Sequence, residues 1–243
     1  MGNCIIHPIP LVELSMDKSL MTYRLNFGQP FNLISYVWYI EGTKERILVD
    51  AGASSEYLSK FLGIPARKIQ KLDSGLSKLG TSCDDINIII LTHLHEDHVA
   101  CASQFSRAKF FVQERELEFA YNPHPLVASS FCRGFFENLD FAVIDGDAQI
   151  CDEISVISTP GHTPGGQSVT VKTAEGVAII AGLCLIRENF EPPLSVGKKM
   201  SVIPPGLHTN ALDAYDSVLK IKEMVEIIVP LHEPEFRHIQ SIP

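Results

Sequence analysis

The run INIIILTHLHEDH, residues 86–98, constrains the chain more than any other stretch. Ile86 to Leu91 is almost continuously apolar and rich in β-branched residues, the pattern of a strand buried on both faces. His93, His95, Glu96, Asp97 and His98 follow at once, so this polar cluster falls in the loop and helix start at the strand's end. His93 and His95 are two apart and point the same way in extended chain. The adjacent Asp97 and His98 are expected to diverge, which suits two cation positions side by side. A cation relieves the repulsion of such a cluster, because imidazole binds it neutral and a carboxylate brings compensating charge.

Other strand ends deliver further donors. STPGHTPGGQS follows an apolar run and sets His162 among prolines and glycines, residues that fix the chain's direction and let backbone approach closely. IVPLHEP puts His232 at the end of the last predicted strand. Each histidine alone is a weak signal. Their recurrence at strand ends points to a metal centre, since zinc takes four ligands and keeps one position open where it does chemistry.

Around these motifs, strands and helices alternate. LISYVWYIEG and ERILVDAG form a predicted hairpin turning near Gly42. SSEYLSKFLG and GLSKLGTSCDDI read as short helices or loops, AKFFVQ as a strand, and ERELEFAYN as a helix stopped by Pro123. CDEISVISTPG and QSVTVKTAEGVAIIAG give three strands, the last two joined at Glu175-Gly176. Asn210 opens a helix predicted over 210–223, and EIIVPLH is the final strand. Hairpins are expected to dominate the connections. No repeat, linker or low-complexity run divides the chain, so residues 1–243 are expected to form one domain.

With these residues in view, the chain resembles the metallo-β-lactamase fold superfamily. H-x-H-x-D-H, T-P-G-H-T-P-G, the final strand histidine and ILVDAG with Asp50 carry the likeness. FFVQERELEFAY, TPGHTPGGQS and RENFEPP are most similar to the N-acyl homoserine lactone lactonase branch. The resemblance implies an α/β fold, an αββα sandwich of two mixed β-sheets with helices on the outer faces. It implies a first metal on His93, His95 and His162 and a second on Asp97, His98 and His232, roughly 3.5–4 Å apart as in other two-metal hydrolases. A metal-held hydroxide would attack a carbonyl. Asp97 would orient it and then protonate the leaving oxygen. Asp50 would hold a ligand histidine by a hydrogen bond, and Ser168 is a further candidate for such support.

One segment departs from the branch. Its metal-bridging aspartate follows the apolar strand, and in GVAIIAGLCLIRENF Leu183 takes the expected place. The branch's substrate-contacting tyrosine is replaced near Ile186 and Arg187. Cys184 offers a thiolate in its stead, although strand alternation turns it opposite to Leu183, and a free cysteine is most often apolar filler. Arg187 could clamp an anion. One metal or two, with or without Cys184, stays open. Zinc suits a nitrogen-rich donor set, with iron, manganese and cobalt as alternatives.

Composition narrows the function classes. The net charge of −9 disfavours binding nucleic acid through a broad basic face. No apolar run is long enough to span a membrane, and MGNCIIHPIP lacks the basic-then-apolar pattern of a secretion signal. None of the six cysteines forms a C-x-x-C pair, which fits reduced thiols and a cytoplasmic location. The expected partner is a small molecule with a lactone or ester carbonyl, and the expected activity is metal-dependent ring opening to a hydroxy acid. Hydrolysis of a thioester or cyclic amide is the alternative within enzymes, and a metal-poor binding module is the alternative outside them. In MTYRLNFGQPFNLISY the aromatics could line a substrate groove, though core packing is their commoner use.

Overall fold

Alternation along one long strand sets the layers. The computed structural model describes residues 3–243, and in it β1 (Ile5–Asp17) pairs antiparallel with β2 (Pro30–Glu41). Along β2, Ile34, Tyr36, Trp38 and Ile40 enter one apolar cluster while Leu33, Val37 and Tyr39 enter another. The two faces are thus both buried, as period-two side-chain alternation requires when a sheet is covered twice.

Two sheets build the sandwich. The larger adds β3 (Ile47–Val49), β4 (Ala66–Lys68), β5 (Ile88–Ile90), β6 (Lys109–Gln113) and β7 (Phe141–Ile144), in the order β4-β1-β2-β3-β5-β6-β7. The smaller contains β8 (Ala148–Cys151), β9 (Ile154–Ser158), β10 (Gln167–Thr173), β11 (Gly176–Ala181) and β12 (Ile227–Pro230), ordered β12-β11-β10-β9-β8. Trp38 and Tyr36 from the first sheet meet Val169, Val171 and Ile180 from the second in the central cluster. On the outer face of the larger sheet lie residues of α1 (Ser55–Leu62) and α2 (Leu72–Lys78), with α3 (Glu96–Val99) and α4 (Glu114–Tyr121) beside them. Across the smaller sheet, beyond the short helices α5 (Arg187–Phe190) and α6 (Leu194–Gly197), lies α7 (Ala211–Met224). Its Ala214, Val218 and Ile221 pack on Ile179 and Ala181. The αββα sandwich expected from the sequence is what forms.

The predicted elements recur with shifted ends, and two features differ. Hairpins link β1–β2–β3 and β8 through β11, but β3, β5, β6 and β7 run parallel, as do β11 and β12. The parallel run places several strand C-termini at one end of the sandwich, where the histidines emerge. The long β1 and the short β4, β7 and β8 had no counterpart among the sequence expectations. Pro8 and Pro10 argue against an interior strand, yet the chain tolerates them beside a register shift between Pro10 and Val12. Asn210 caps α7 as expected, accepting from Leu212 N at 3.0 Å.

Candidate metal centre

The centre assembles where strands stop. β3 ends at Val49, and Asp50 turns into a left-handed backbone conformation at φ 63, an uncommon state for a residue other than glycine. That turn carries the wholly buried Asp50 carboxylate toward the end of the neighbouring β5. There Thr92 N donates to Asp50 Oδ1 at 2.8 Å, and Thr92 Oγ1 lies 2.9 Å from Oδ2. Past Thr92 the chain reaches His95, whose extended backbone occupies the N-cap position of α3. His93 and His95 therefore project together, as their spacing predicts.

His162 joins them from the loop after β9. The ring centroids of His93, His95 and His162 are mutually 4.7 Å apart, with interplanar angles of 85°, 85° and 88°. Their donor nitrogens lie within 4.8 Å of one another. Each Nδ1 contact fixes which nitrogen is free. His162 Nδ1 donates to Leu207 O at 2.8 Å; the Thr92 hydroxyl spends its one proton on the Asp50 carboxylate, so His93 Nδ1 donates to Thr92 Oγ1 at 3.0 Å. Both Nε2 atoms are then left as lone-pair acceptors, and they face each other at 3.2 Å. Two acceptors at that distance need a proton or a cation between them. Burial first, then the neighbouring imidazoles, hold His93 and His95 well below the usual histidine range. Burial brings His162 down to about 4. Protons therefore compete poorly for this trio near neutral pH, and the neutral rings present what a divalent cation requires.

The second group behaves differently. His98 Nδ1 is 2.8 Å from Asp50 Oδ2, and its Nε2 is 3.1 Å from Asp97 Oδ2. The expectation that Asp97 and His98 diverge is thus corrected: both sit in the first turn of α3, where their side chains can swing onto one point. His232 Nε2 stands 4.0 Å from the same Asp97 oxygen, with its Nδ1 bound to Ile34 O at 3.0 Å. Burial opposes charge on His98, but the Asp97 and Asp50 carboxylates outweigh it and raise His98 to about 10. Burial likewise opposes the charge on Asp97, yet His98, then His232 and His95, hold it well below the usual carboxylate range. A cation here must displace the His98 proton.

Three supporting residues lay outside the sequence expectations. Glu116 of α4, wholly buried, accepts from Leu94 N at 2.9 Å and from Gly165 N at 3.0 Å. It ties the His93–His98 loop to the His162 loop, and burial raises its pKa. Gly165 is required for that approach, because a Cβ there would lie 2.0 Å from Glu116 N. Gln167 donates to Leu91 O at 2.8 Å and accepts from Gln113 at 2.9 Å, fastening β5 to the second sheet. In ERELEFAY an acid at Glu116 reads as a solvent-facing helix residue; only the packing of α4 reveals its partners. Ser168, by contrast, was a candidate. It is buried, accepts from Gly182 N at 2.9 Å and lies 2.8 Å from Thr159 Oγ1, so it steadies strand ends and touches no histidine.

The segment after β11 places its residues by alternation. Leu183 and Leu185 continue the face of Ile179 and Ala181 into the cluster under α7, whereas Cys184 and Ile186 turn to the opposite side. Leu183 is thus not among the donors. Gly182 cannot contribute either, since a Cβ there would fall 1.7 Å from Gln167 O. Cys184 does line the cleft over the histidines, with Sγ 3.8 Å from Met21 Sδ, and burial pushes its thiol far up. Its contact with Met21 fits the apolar filler expected of a free cysteine. Arg187 opens α5, pairs with Glu235 at 2.7 Å and is half exposed. It does not line the cleft.

The cleft itself has a volume of about 470 Å³ and a floor of His95, Asp97, His98, His162 and His232. Much of its wall is apolar: Leu14, Met16 and Leu33 from the β1–β2 hairpin, Leu58 and Phe61 from α1. The aromatics of the 21–36 stretch do not line it. Met21 and Leu33 do, while Tyr36 and Trp38 pack between the sheets.

Comparison with known proteins places this geometry. Residues 31–232 match the family profile described as "Metallo-beta-lactamase superfamily". The N-acyl homoserine lactonase AiiA of Bacillus thuringiensis subsp. kurstaki is 25% identical over 236 residues, covering 92% of this chain and 89% of its own. A solved N-acyl homoserine lactone hydrolase, with the product N-hexanoyl-L-homoserine at its catalytic metal centre, superposes with a TM-score of 0.79 at 24% identity. It is covered over 96% of its length against 98% of this chain. The dizinc quorum-quenching lactonase AidC gives a TM-score of 0.72 at 16% identity, with 99% and 90% covered.

Proposed function

This chain belongs to the metallo-beta-lactamase superfamily, and on that footing we propose that it is a metal-dependent hydrolase opening a lactone or similar small cyclic ester to a hydroxy acid. The observation that carries the reading is the pair of acceptor nitrogens, His93 Nε2 and His162 Nε2, facing each other at 3.2 Å where His162 joins the floor of a largely apolar-walled cleft. His93, His95 and His162 would hold one divalent cation, and Asp97, His98 and His232 a second. Nitrogen-rich donors with one carboxylate favour zinc. A bound cation of this kind supplies Lewis acidity, polarising a carbonyl oxygen and acidifying water.

The chain's own residues do the rest. The wall formed by Leu14, Met16, Leu33, Leu58 and Phe61 buries an acyl tail and leaves the ring over the histidines. Burying such a tail contributes about 0.8 kcal/mol per methylene. Asp97, kept ionised by His98 and His232, accepts the proton of the attacking water at its carboxylate. Water oxygen bonds to the lactone carbonyl carbon, the ring C–O bond breaks, and Asp97 returns the proton to the released alkoxide. Thr92 and Asp50 hold the rings still while this happens. The similarity of AiiA, an N-acyl homoserine lactonase, supports this substrate class. The test is acid release from a panel of lactones by protein loaded with zinc. Ring opening of at least one γ-lactone is expected, and a loaded protein inert toward all of them contradicts the proposal.

A further inference from the structure

One polar group in the cleft has no use in that mechanism. Glu96 lies between His95 and Asp97 at the start of α3 and lines the cleft. It is only 6% exposed, and its Oε2 is buried without a hydrogen-bond partner. Leaving a carboxyl oxygen unpaired inside a protein is costly, and nearly all such atoms find partners. The hydroxyl residues Ser129 and Ser130 line the same cleft, as do His208 and Thr209, and among the described residues no lysine or arginine lines it. Most of the remaining wall is apolar. The missing partner is therefore not in the described part of the chain, and the Glu96 side chain lines the cleft that a substrate would enter.

We propose that Glu96 is a specificity-determining residue: it selects substrates whose tail carries a hydroxyl on the carbons nearest the reacting ring. This rests on the lactone-opening reading for the position of the ring. Glu96 is flanked in sequence by two residues of the floor, so it addresses the tail close to the ring, ahead of the apolar wall. A hydroxyl is the fitting group because it donates to a carboxylate and accepts from a carboxylic acid, so the contact forms in either state. An anionic tail finds no lysine or arginine in the cleft and meets two carboxyl groups, Glu96 and Asp97. A plain alkyl tail would leave Oε2 unpaired, and sites built to hydrogen-bond a hydroxyl discriminate strongly against analogues lacking it.

The test uses the full, zinc-loaded chain and two γ-lactams of equal tail length, one hydroxylated near the ring and one fully alkyl. Lactams share the carbonyl and resist opening, so calorimetry reads binding alone, with metal content measured in every sample. The wild type is expected to bind the hydroxylated lactam at least tenfold more tightly. Glu96→Met should erase or reverse that ratio at unchanged metal content, and Glu96→Gln, which keeps an acceptor and a donor, should restore part of it. A ratio near one in the wild type, a ratio unchanged in Glu96→Met and Glu96→Gln, or no binding of either lactam overturns the inference. Retained lactam preference in a protein that opens no lactone would instead defeat the proposed reaction and leave the role of Glu96 standing.

Discussion

Asp50 Oδ2 lies 2.8 Å from His98 Nδ1, with both side chains buried and 48 positions apart in sequence. The same carboxylate reaches His93 through the hydroxyl of Thr92. One residue thereby orients a ring in each of the two donor groups. Such outer partners of metal-binding histidines fix the tautomer and raise ligand basicity.

Replacing this carboxylate is therefore expected to loosen both groups. Asn tolerates the left-handed turn at position 50, so Asp50→Asn isolates the loss of charge. Metal affinity should fall roughly 10- to 100-fold, with lactone opening falling alongside and the circular dichroism spectrum unchanged. Affinity and rate equal to the wild type would remove Asp50 from the account.

Protons and the second cation compete at His98. Its pKa is raised to about 10 by the facing carboxylates, against about 6.5 for an unperturbed ring. Below the unperturbed value the proton stabilises the metal-free fold in full, and that contribution drains away as pH rises through the raised value. A cation must evict this proton, so its affinity should climb with pH across the neutral range. Titration calorimetry in two buffers of different ionisation enthalpy should register about one proton released per ion at this group. Binding with no proton release contradicts the assignment.

Glu116 makes a structural prediction separate from chemistry. Glu116→Ala leaves the buried Leu94 and Gly165 N–H groups without their acceptor. The cost is roughly 2–4 kcal/mol, or about 5–15 °C of melting temperature for a chain of this size. Because Gly165 admits no side chain, the neighbouring backbone has little room to compensate. An unshifted thermal transition would show that the two loops do not depend on this link.

Arg187 should be dispensable. It forms exposed ion pairs with Glu235 and Glu191, of a kind that contributes about 0–1 kcal/mol. Arg187→Ala should leave kcat/KM for the preferred lactone within about twofold of the wild type, a margin under 0.5 kcal/mol. A tenfold loss would revive the role of an anion clamp.

Much of this was legible in the sequence because strand ends are marked by composition. Apolar runs halting at His93, His162 and His232 announced both the strands and the donors, and the resemblance assigned them to groups. The hidden parts depend on packing between distant segments. Period two showed that Leu183 and Cys184 face apart but not which face meets the cleft; only α7 covering Ile179 and Ala181 decides it. Asp50 read equally well as a turn residue, since its carboxylate matters through Thr92 and His98, residues 42 and 48 positions away. Glu116 sits in a helix pattern that gives no hint of burial. Pro8 and Pro10 concealed β1, because proline signals an edge or a break and the fold absorbs both beside a bulge.

The triangle of imidazoles is the claim on which the rest turns. Crystals grown with zinc and measured at wavelengths on either side of the zinc absorption edge locate any such ion directly. An anomalous peak is expected within bonding reach of Nε2 of His93 and His162 and of a ring nitrogen of His95. Rings well ordered around a centre with no anomalous signal, at zinc concentrations that load the solution protein, would contradict it.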